Sequence, residues 1–551
     1  MELNRIFWIA AFCSVFASSS AQVSVNRYLV YFSDKDDTPY SIDQPEQYLS
    51  DRAISRRLNQ NIAITEEDLP VDPAYIQEVL NLGDVDFIYS LKWFNAILVE
   101  TEDPSVIDQI SELNPVVGTQ LSTYIGNDLD LESTVSKITD DRKNEEEYGP
   151  SFNQIDMING LPLHEAGYKG QGIWVAVFDG GFRFTDSALA LQDFMNGGRL
   201  IGTKDFVEGD NDVFHRSNHG TYVLSTMTGN IPGSLIGTAP EASYLLCITE
   251  DVQIERRIEE SNWAAAAEYA DSVGVDIINT SLGYTLFDNE EENHSYEELD
   301  GNSTLITRAS NIAASKGILT VNSAGNSGNS AWYYIGAPAD GDNVLAVGAV
   351  DSGENAVGFS SRGPRVDGAI KPNVMARGFQ SIGTDLDQGI TGINGTSFSA
   401  PIISGMAASL WQAVPSATSG EVFDAIEQSA HLYNMPNDSM GYGIPDFALA
   451  LGILQPLSDD VIIGNDINTI SAYPNPTDNG QALTLSLPED FSESILVEIF
   501  DITGKLAYSE RLISQAKRAT LPSILNLHAG LYILNVRDEI GRTATSKLIV
   551  R

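Results

Sequence analysis

The sequence has little cysteine: its 551 residues include two, Cys13 and Cys247. Cys13 falls in an N-terminal leader that we expect to be removed, which would leave one thiol in the mature protein. A single thiol forms neither an intrachain disulfide nor a cysteine-based zinc site, so a disulfide scaffold and a zinc module are excluded. Cys247 stands in the strand-like run ASYLLCITE and is expected to be a small core residue.

Positive charge is also scarce. The chain has 31 Lys and Arg against 76 Asp and Glu, which gives a formal net charge of −45 and a sequence pI near 4.2. A field of this sign argues against nucleic acid and against anionic membrane surfaces as partners. It suits a secreted, highly soluble protein, although it names no substrate.

Long hydrophobic runs are missing after the N-terminus. There, Arg5 precedes an apolar run from Ile6 to Ala17, and Ser19-Ser20-Ala21 follow. This pattern predicts a signal peptide over residues 1–21, because the run is too short to span a bilayer. No other segment has about 20 continuous apolar residues, so we expect no transmembrane helix.

Changes in composition predict five further regions. Residues 22–122 alternate strand-like and helical runs and form a small α/β domain, in which FIYSLKWFNAILVE (87–100) is expected to be one strand. Residues 123–147 are polar and charged, which predicts an exposed linker that contains a maturation site. A central domain (148–452), a turn-rich linker (453–468) and a small β-sandwich of short strands (469–551) follow.

The central domain combines apolar strand runs, Gly-rich turns and long helices. This combination predicts a parallel sheet with helices on both faces, and ligands of such sheets bind beyond the carboxyl ends of the strands. The acidic stretch DNEEENHSYEELDG (288–301) is expected to be a solvated insertion, and its clustered carboxylates leave a cation site as an alternative.

Four polar residues stand at junctions between these strands and helices. Asp179 follows the strand WVAVF, His219 opens the run HGTYVLSTMTG, Asn326 follows an apolar strand, and Ser397 precedes a small-residue helix. Each residue taken alone would be a turn or cap residue. Together they supply the acid, base, amide donor and hydroxyl that acyl transfer at a serine requires. A G-x-S-x-G nucleophile elbow, the other common solution, is absent.

Residues 148–452 resemble the subtilisin family of serine endopeptidases. The matching stretches are VAVFDGGF, NHGTYVLSTMTG, NTSLG, VNSAGNSG, VGFSSRGP with DGAIKPNV, and GTSFSAP. The resemblance implies a subtilisin-like parallel sheet with helices on both faces, in which Asp179 orients the base, His219 is the general base and acid, and Ser397 is the nucleophile. It also implies that the Asn326 side chain and the Ser397 N–H donate to the oxyanion.

The resemblance further implies where a peptide substrate binds. Extended peptide would pair with Ser281, Leu282 and Gly283 by strand addition. The wall and floor of the primary specificity pocket would come from Ala324, Gly325 and Gly336. Glycine at the floor predicts an open pocket for large apolar or aromatic side chains. Catalysis would require no cofactor, and structural calcium stays an open alternative.

One position departs from the family pattern. Gly180 stands where the family usually has Ser or Thr after the catalytic Asp. The departure removes a hydroxyl that could hydrogen-bond the carboxylate, and it leaves the four functional residues themselves complete.

Both flanks resemble modules known from such proteins. Residues 22–122 are similar, in position and α/β pattern, to the inhibitory pro-domain of these proteases. The tail, with YPNPTDNG, VEIFDITGKL and LHAGLYILNV, resembles the C-terminal sorting domain of type IX secretion. The implied partners are protein or peptide substrates, the protein's own pro-domain as an intramolecular inhibitor, and the bacterial outer-membrane secretion machinery. The implied location is secreted or attached to the cell surface.

Three functions stay open at this point. The first is an active secreted endopeptidase made as a precursor. The second is a catalytically inactive surface adhesin or binding protein on the same scaffold, for which Gly180 and the terminal β-domain are the arguments. The third is a serine esterase or peptide ligase, because nucleophiles other than water can intercept an acyl-enzyme.

Overall fold

The computed structural model describes residues 26–124, 135–136, 147–386, 389–455 and most of 470–550; within the last range it leaves out 476, 478–480, 489–490, 493, 502–505, 515–516, 522–526, 528–529 and 539–541. The predicted signal peptide (1–21), most of the linker 123–147 and nearly all of the linker 453–468 lie outside the described residues. The chain divides into two compact units, 1–455 and 456–551.

The N-terminal region is a four-stranded antiparallel sheet with helices. The sheet has the order β2-β3-β1-β4. Its elements are β1 (Asn26–Phe32), α1 (Asp51–Asn59), α2 (Pro73–Leu80), β2 (Asp86–Leu91), β3 (Ala96–Thr101), α3 (Val106–Ser111) and β4 (Val116–Tyr124).

Two expectations for this region were wrong in detail. The run 87–100 is a β2–β3 hairpin instead of one strand, because a 3₁₀ turn over Lys92–Phe94 ends in Asn95 at φ 46°. Asparagine tolerates this left-handed conformation better than most residues, so it reverses the chain there. Strand β4 was not predicted at all, because VVGTQLSTY mixes apolar and polar residues without a strong run.

The central domain follows from residue 147. Its elements up to the middle of the domain are α4 (Phe152–Asp156), α5 (Leu161–Glu165), β6 (Trp174–Asp179), α6 (Gln192–Asn196), β7 (Leu200–Asp205), α7 (His219–Thr228), β8 (Asn230–Ile231), β9 (Leu235–Ile236), β10 (Ser243–Ile248) and α8 (Ile258–Val273). A short strand, β5 (Val135–Ser136), precedes them. The remaining elements are β11 (Ile277–Thr280), α9 (Leu305–Ser315), β12 (Leu319–Ser323), β13 (Val344–Val350), β14 (Val374–Arg377), β15 (Ser381–Thr384), β16 (Ile390–Ile393), α10 (Thr396–Ala413), α11 (Ser419–Gln428) and α12 (Phe447–Leu454).

Seven strands form one parallel sheet, as the sequence predicted. The order is β14-β13-β12-β11-β6-β10-β7, and every neighbouring pair is parallel. Most of the central strands are continuous buried runs, since helices cover both faces. Helix α10 is buried along nearly its whole length, and an added Cβ at Gly405 would lie 2.1 Å from Thr238 Oγ1. The glycine therefore lets the helix approach its neighbours closely.

A short part of the predicted linker pairs with the central domain. Strand β5 pairs antiparallel with β16, with Ser136 opposite Gly392 and Val135 opposite Ile393. The backbone of β16 offers free hydrogen-bonding groups at an edge, and the linker satisfies some of them. The linker therefore pairs with β16, the strand that directly precedes helix α10.

Charged side chains of the N-terminal region are buried against helix α8. The carboxylate of Asp271 contacts Arg56 at 2.6 Å, Arg57 at 2.8 Å and Lys92 at 3.4 Å. One turn earlier, Glu268 accepts hydrogen bonds from the N–H groups of residues 92 and 93 at 2.7 and 2.9 Å. We call these residues the interface charge cluster: Arg56, Arg57, Lys92, Glu268 and Asp271. They join the N-terminal region to the central domain.

The second unit is a β-sandwich, as predicted. One sheet has the order β17-β18-β21 and the other β20-β19-β22-β23, and one hydrophobic core lies between them. The strands are β17 (Ser471–Tyr473), β18 (Leu483–Ser486), β19 (Ser494–Asp501), β20 (Leu506–Ile513), β21 (Arg518–Leu521), β22 (Gly530–Asp538) and β23 (Thr543–Val550). None of the helices among the described residues is long and apolar enough to cross a bilayer.

Candidate active site

The four predicted residues come from four different elements. Asp179 is the last residue of β6, His219 the first of α7, and Ser397 lies in the first turn of α10. Asn326 follows the end of β12 by three residues. Because β6 and β12 are parallel strands of one sheet, their carboxyl ends lie at the same edge, and the two helices begin there.

Asp179 and His219 are in direct contact. Both carboxylate oxygens of Asp179 lie 2.9 Å from His219 Nδ1, and the Gly180 N–H donates to Oδ1 at 2.8 Å. Asp179 is fully buried, whereas the His219 side chain is 24% exposed. This arrangement fixes the imidazole with Nδ1 towards the carboxylate and leaves Nε2 for other partners.

Two opposing effects set the basicity of His219. Burial alone would lower the pKa of this imidazole, but the adjacent Asp179 carboxylate favours its protonated form and outweighs burial. The net result is that the pKa of His219 is raised above its usual 6.5. A raised pKa makes the imidazole a better proton acceptor.

Ser397 lies close to this pair but its hydroxyl points elsewhere. Its Oγ donates to the Ser281 carbonyl oxygen at 3.1 Å, and no hydrogen bond joins it to His219 in the described part of the chain. The ring of Phe398, the next residue, lies 5.5 Å from the His219 ring. The serine therefore sits beside the imidazole, in a rotamer that does not engage it.

Asn326 is oriented by the residue before the serine. Its Oδ1 accepts from the Thr396 N–H at 2.9 Å and from the Thr396 hydroxyl at 3.1 Å. These bonds use the carbonyl side of the amide, and Nδ2 has no partner within the described ranges. The side chain is exposed, so Nδ2 is a free donor beside the N-terminus of α10.

The predicted peptide-binding segment is anchored on one side and open on the other. Ser281 Oγ donates to the Ser397 carbonyl at 2.8 Å, and the Leu282 carbonyl accepts from Asn322 at 3.0 Å. Gly283 is exposed, and its N–H and C=O have no partner among the residues described. An extended peptide can pair with these free backbone groups.

Two glycines of the predicted specificity pocket lie close to neighbouring side chains. Gly325 has φ +103°, and a Cβ there would lie 2.9 Å from Ser361 Oγ, so glycine is required beside the buried Ala324. A Cβ at Gly336 would meet Thr285 Cγ2 at 3.0 Å. Glycine at position 336 thus accommodates Thr285, and its role as the floor of the pocket stays a prediction.

The structure gives a reason for the departure at Gly180. A Cβ there would lie 2.5 Å from Val252 Cγ1, so a serine or threonine does not fit against this valine. It also reveals Glu250, which the sequence reading missed. This residue comes two positions after β10, at the same sheet edge as Asp179. The rule that functional residues follow strand ends could have found it, had it been applied to YLLCI.

Candidate metal ligands come together at one place among the described residues. Asp205, Asp210 and His215 each have a ligand atom within 4.8 Å of the others. Arg216 lies beside them and contacts Asp205 at 3.8 Å and Asp251 at 2.9 Å. The Arg216 guanidinium thus already places a positive charge beside Asp205 and Asp251.

The acidic stretch 288–301 forms no such ligand group, and it is not simply solvated. Glu292 is paired with Arg256, and His294 is buried against Glu260. Elsewhere in the domain, the buried Lys371 ammonium donates to the Gly341 and Val344 carbonyls at 2.8 Å and to Asn373 Oδ1 at 3.0 Å.

Known proteins match each region. The Subtilase family model matches residues 170–443, a Bacteroidota peptidase S8 propeptide model matches 27–138, and a secretion system C-terminal sorting domain model matches 471–551. Subtilisin DY of Bacillus licheniformis is 31% identical over 295 residues, which cover 52% of this chain and 93% of that protein. The chain belongs to the subtilase family. The predicted family and fold class are thereby confirmed, and the sorting domain indicates export to a secreted or surface location.

Two further subtilases show how far the similarity extends. The thermophilic serine proteinase of Bacillus sp. (strain AK1) is 30% identical over 54% of this chain and 65% of its own length. Subtilisin E of Bacillus subtilis (strain 168) is 31% identical over 50% of this chain and 65% of its own length. The similarity therefore spans about half of this subtilase, and the exact domain boundaries stay predictions.

Proposed function

We propose that the protein is a secreted serine endopeptidase that hydrolyses peptide bonds through an acyl-enzyme on Ser397. The observation that carries the proposal is the contact of Asp179 with His219 Nδ1, at 2.9 Å from both carboxylate oxygens, beside the first turn of α10. A buried acid that holds an imidazole next to a serine is the arrangement that activates a hydroxyl for acyl transfer.

His219 acts first as a base. Asp179 keeps the proton on Nδ1, so the lone pair of Nε2 is available for the Ser397 hydroxyl proton. The hydroxyl must leave the Ser281 carbonyl to reach Nε2, and a rotation between staggered χ1 rotamers achieves this. Catalytic hydrogen bonds are often absent without substrate and form when substrate binds.

The attacked carbonyl then becomes an oxyanion. The free N–H of Ser397 in the first turn of α10 and Asn326 Nδ2 are the two donors on the same side of the site. The imidazolium of His219 passes its proton to the leaving amine, and the amine departs with the C-terminal part of the substrate. His219 then takes a proton from a water molecule, which attacks the acyl-enzyme. The ester bond breaks, and the proton returns to Ser397 Oγ.

The test compares Ser397→Ala with the unaltered protein. We expect the variant to lose about 10⁶-fold in turnover on an unfolded protein substrate, a loss of the size found in a subtilisin. A serine-directed phosphonate should label the unaltered protein at Ser397 and leave the variant unlabelled. Equal proteolysis by both proteins would end the proposal.

The alternative is an inactive binding protein on this scaffold. It is favoured by the Ser397 hydroxyl, which donates to Ser281 instead of His219, and by the glycine at position 180. Under this alternative the phosphonate labels nothing and the chain never processes its own N-terminal region, although it folds. Those two readouts separate the alternatives without a known natural substrate.

The N-terminal region and the tail have roles in the same proposal. The buried interface charge cluster supports the view that residues 22–122 stay on the central domain as an intramolecular inhibitor until the linker is cut. The sorting domain supports recognition by type IX secretion machinery. N-terminal sequencing and intact mass of the secreted protein test both roles. Removal of the N-terminal region predicts an N-terminus between about residues 123 and 148.

A further inference from the structure

Glu250 lies at the catalytic end of the sheet, on the strand next to Asp179. Strands β6 and β10 are parallel neighbours, and Ile248 is paired with Asp179. Glu250 follows Ile248 by two residues and is half-buried. Its carboxyl group is close enough to the catalytic pair to interact electrostatically with both Asp179 and His219.

Within the part of the chain that the structure describes, no backbone segment separates this carboxyl group from the residue after Asp179, although the Val252 side chain packs beside them. Gly180 has no side chain, and a Cβ built there would lie 3.8 Å from both Cβ and Oε2 of Glu250. On another side, the fully buried Tyr284 directs its hydroxyl towards the Glu250 carboxyl. Tyr284 directly follows the predicted peptide-binding segment, so Glu250 borders the path of a substrate.

The charge around Glu250 is negative. Its neighbours Glu255 and Glu259 are also carboxylates, and the nearby Arg256 is paired with Glu292. Burial and the negative charge of Asp179 raise the pKa of Glu250 to about 7, against the opposing effects of the Tyr284 hydroxyl and His219. Within the described ranges Glu250 has no lysine or arginine partner, so a substrate side chain with a positive charge would find an unpaired carboxyl group there.

The direction of substrate side chains follows from strand geometry, and this step rests on the proposed function. Side chains of an extended peptide alternate between two sides. The substrate residue whose carbonyl is attacked points its side chain to the pocket wall at Ala324 and Gly325. The substrate residue before it therefore points its side chain to the opposite side. That side holds His219, Asp179 and, beyond Gly180, Glu250.

We propose that Glu250 is a specificity-determining residue that selects lysine or arginine as the residue immediately preceding the one whose carbonyl is attacked. A long basic side chain passes over Gly180 and along the partly exposed Val252, and it places its cation on the carboxyl group. A glutamate at the same substrate position is repelled, and a neutral side chain leaves Glu250 unpaired. The substrate class is therefore proteins with basic residues one position before the cleaved residue.

The experiment uses the secreted enzyme and three fluorogenic peptides. They share phenylalanine at the cleaved residue and carry lysine, norleucine or glutamate before it, so the first two differ in charge but little in shape. We expect kcat/KM for the lysine peptide to exceed that for the norleucine peptide about 10- to 100-fold. The glutamate peptide should be cleaved most slowly, and 1 M salt should reduce the preference.

Two variants decide whether Glu250 is responsible. In Glu250→Gln the ratio of lysine to norleucine kcat/KM should fall to within about threefold of unity. The control is Glu241→Gln, which removes an exposed carboxylate before the amino end of the same strand β10, and it should keep the unaltered ratio. Equal rates on the first two peptides, or a preference that survives in Glu250→Gln, overturn the assignment.

Failure of the proposed function has a different signature. If no peptide is cleaved, binding of the same three peptides to the unaltered protein, measured by fluorescence anisotropy, tests Glu250 alone. Tighter binding of the lysine peptide, lost in Glu250→Gln, supports the assignment even for an inactive scaffold. Equal affinities, or no binding of any peptide, overturn it.

Discussion

Asp179 and Asp271 are both fully buried, and they have opposite surroundings. Asp179 faces one partner, the His219 imidazole, whose charge changes with its proton. Asp271, at the interface with the N-terminal region, faces the permanent charges of Arg56 and Arg57 and the ammonium of Lys92. Under the proposed function, the same type of side chain therefore supports proton transfer in one place and holds the N-terminal region in the other.

The difference shows what each task requires. Burial would raise the pKa of Asp271, but the surrounding cations, Lys92 and Arg56 first among them, lower it overall. Such a carboxylate stays charged and holds its partners at any ordinary pH. Asp179 has a partner that can lose its proton, and that property suits a site in which a proton must move.

The largest expected effect comes from making the catalytic aspartate neutral. Asp179→Asn should lower kcat about 10⁴-fold, because an amide does not hold the proton on His219 Nδ1. Steady-state kinetics of the processed enzyme measure the loss. Asp271→Asn is the matched control and should leave kcat of the processed enzyme within about threefold, since its charged partners Arg56, Arg57 and Lys92 belong to the N-terminal region.

The next largest effect is expected from loss of the Asn326 side-chain amide, the neutral hydrogen-bond donor of the site. Asn326→Ala removes Nδ2 and should lower kcat about 10²- to 10³-fold with little change in KM, because this donor acts on the charge that develops during the reaction. A loss confined to KM would mean that Asn326 binds substrate in its ground state and is no oxyanion donor.

The interface aspartate should show its effect in release of the N-terminal region. Asp271→Asn removes the carboxylate that three buried cations share, and only Arg57 keeps another one, Asp68 at 2.9 Å. The loss costs about 3 kcal/mol, or roughly a 100-fold change in equilibrium. We expect the variant to lose its cleaved N-terminal region correspondingly faster, as measured by the appearance of peptidase activity on dilution. Asp276→Asn, at the partly exposed pair with Arg52, should change release less than tenfold.

The smallest effect is the pH dependence of the unaltered enzyme. Because the pKa of His219 is raised above 6.5, the protonated and inactive form persists to higher pH than in a free imidazole. The value of kcat/KM should fall about tenfold per pH unit below this pKa and level off above it. In Asp179→Asn the fall should move to lower pH, since the carboxylate that favours the imidazolium is gone.

Much of the catalytic region could be predicted from the sequence. Asp179, His219, Asn326 and Ser397 are each followed or preceded by glycine and small residues at the end of an apolar run, and such junctions are local features. The parallel sheet followed from strands that are apolar throughout. These predictions depend on neighbours along the chain; the structure contains the predicted sheet and brings Asp179 into contact with His219.

What the sequence could not predict depends on distant contacts. Arg56 and Arg57 stand in a charged helix that suggests a solvated face, yet both side chains are buried because Asp271, more than 200 positions later, meets them. The pairing of β5 with β16 and the position of Glu250 beside Gly180 likewise join remote segments. The rotamer of Ser397 is set by the Ser281 carbonyl, and no motif records it.

Lys371 places an ammonium group among oxygens that would equally suit a dissolved ion. A free ion exchanges with the medium, and a chelating agent can extract it. The Lys371 ammonium is covalently attached to the backbone, so it neither exchanges with the medium nor is removed by a chelator. The local structure at this position therefore does not depend on dissolved ions. For an exported protein, a positive charge that is covalently tethered in this way makes one part of the structure insensitive to the ions of the surrounding medium.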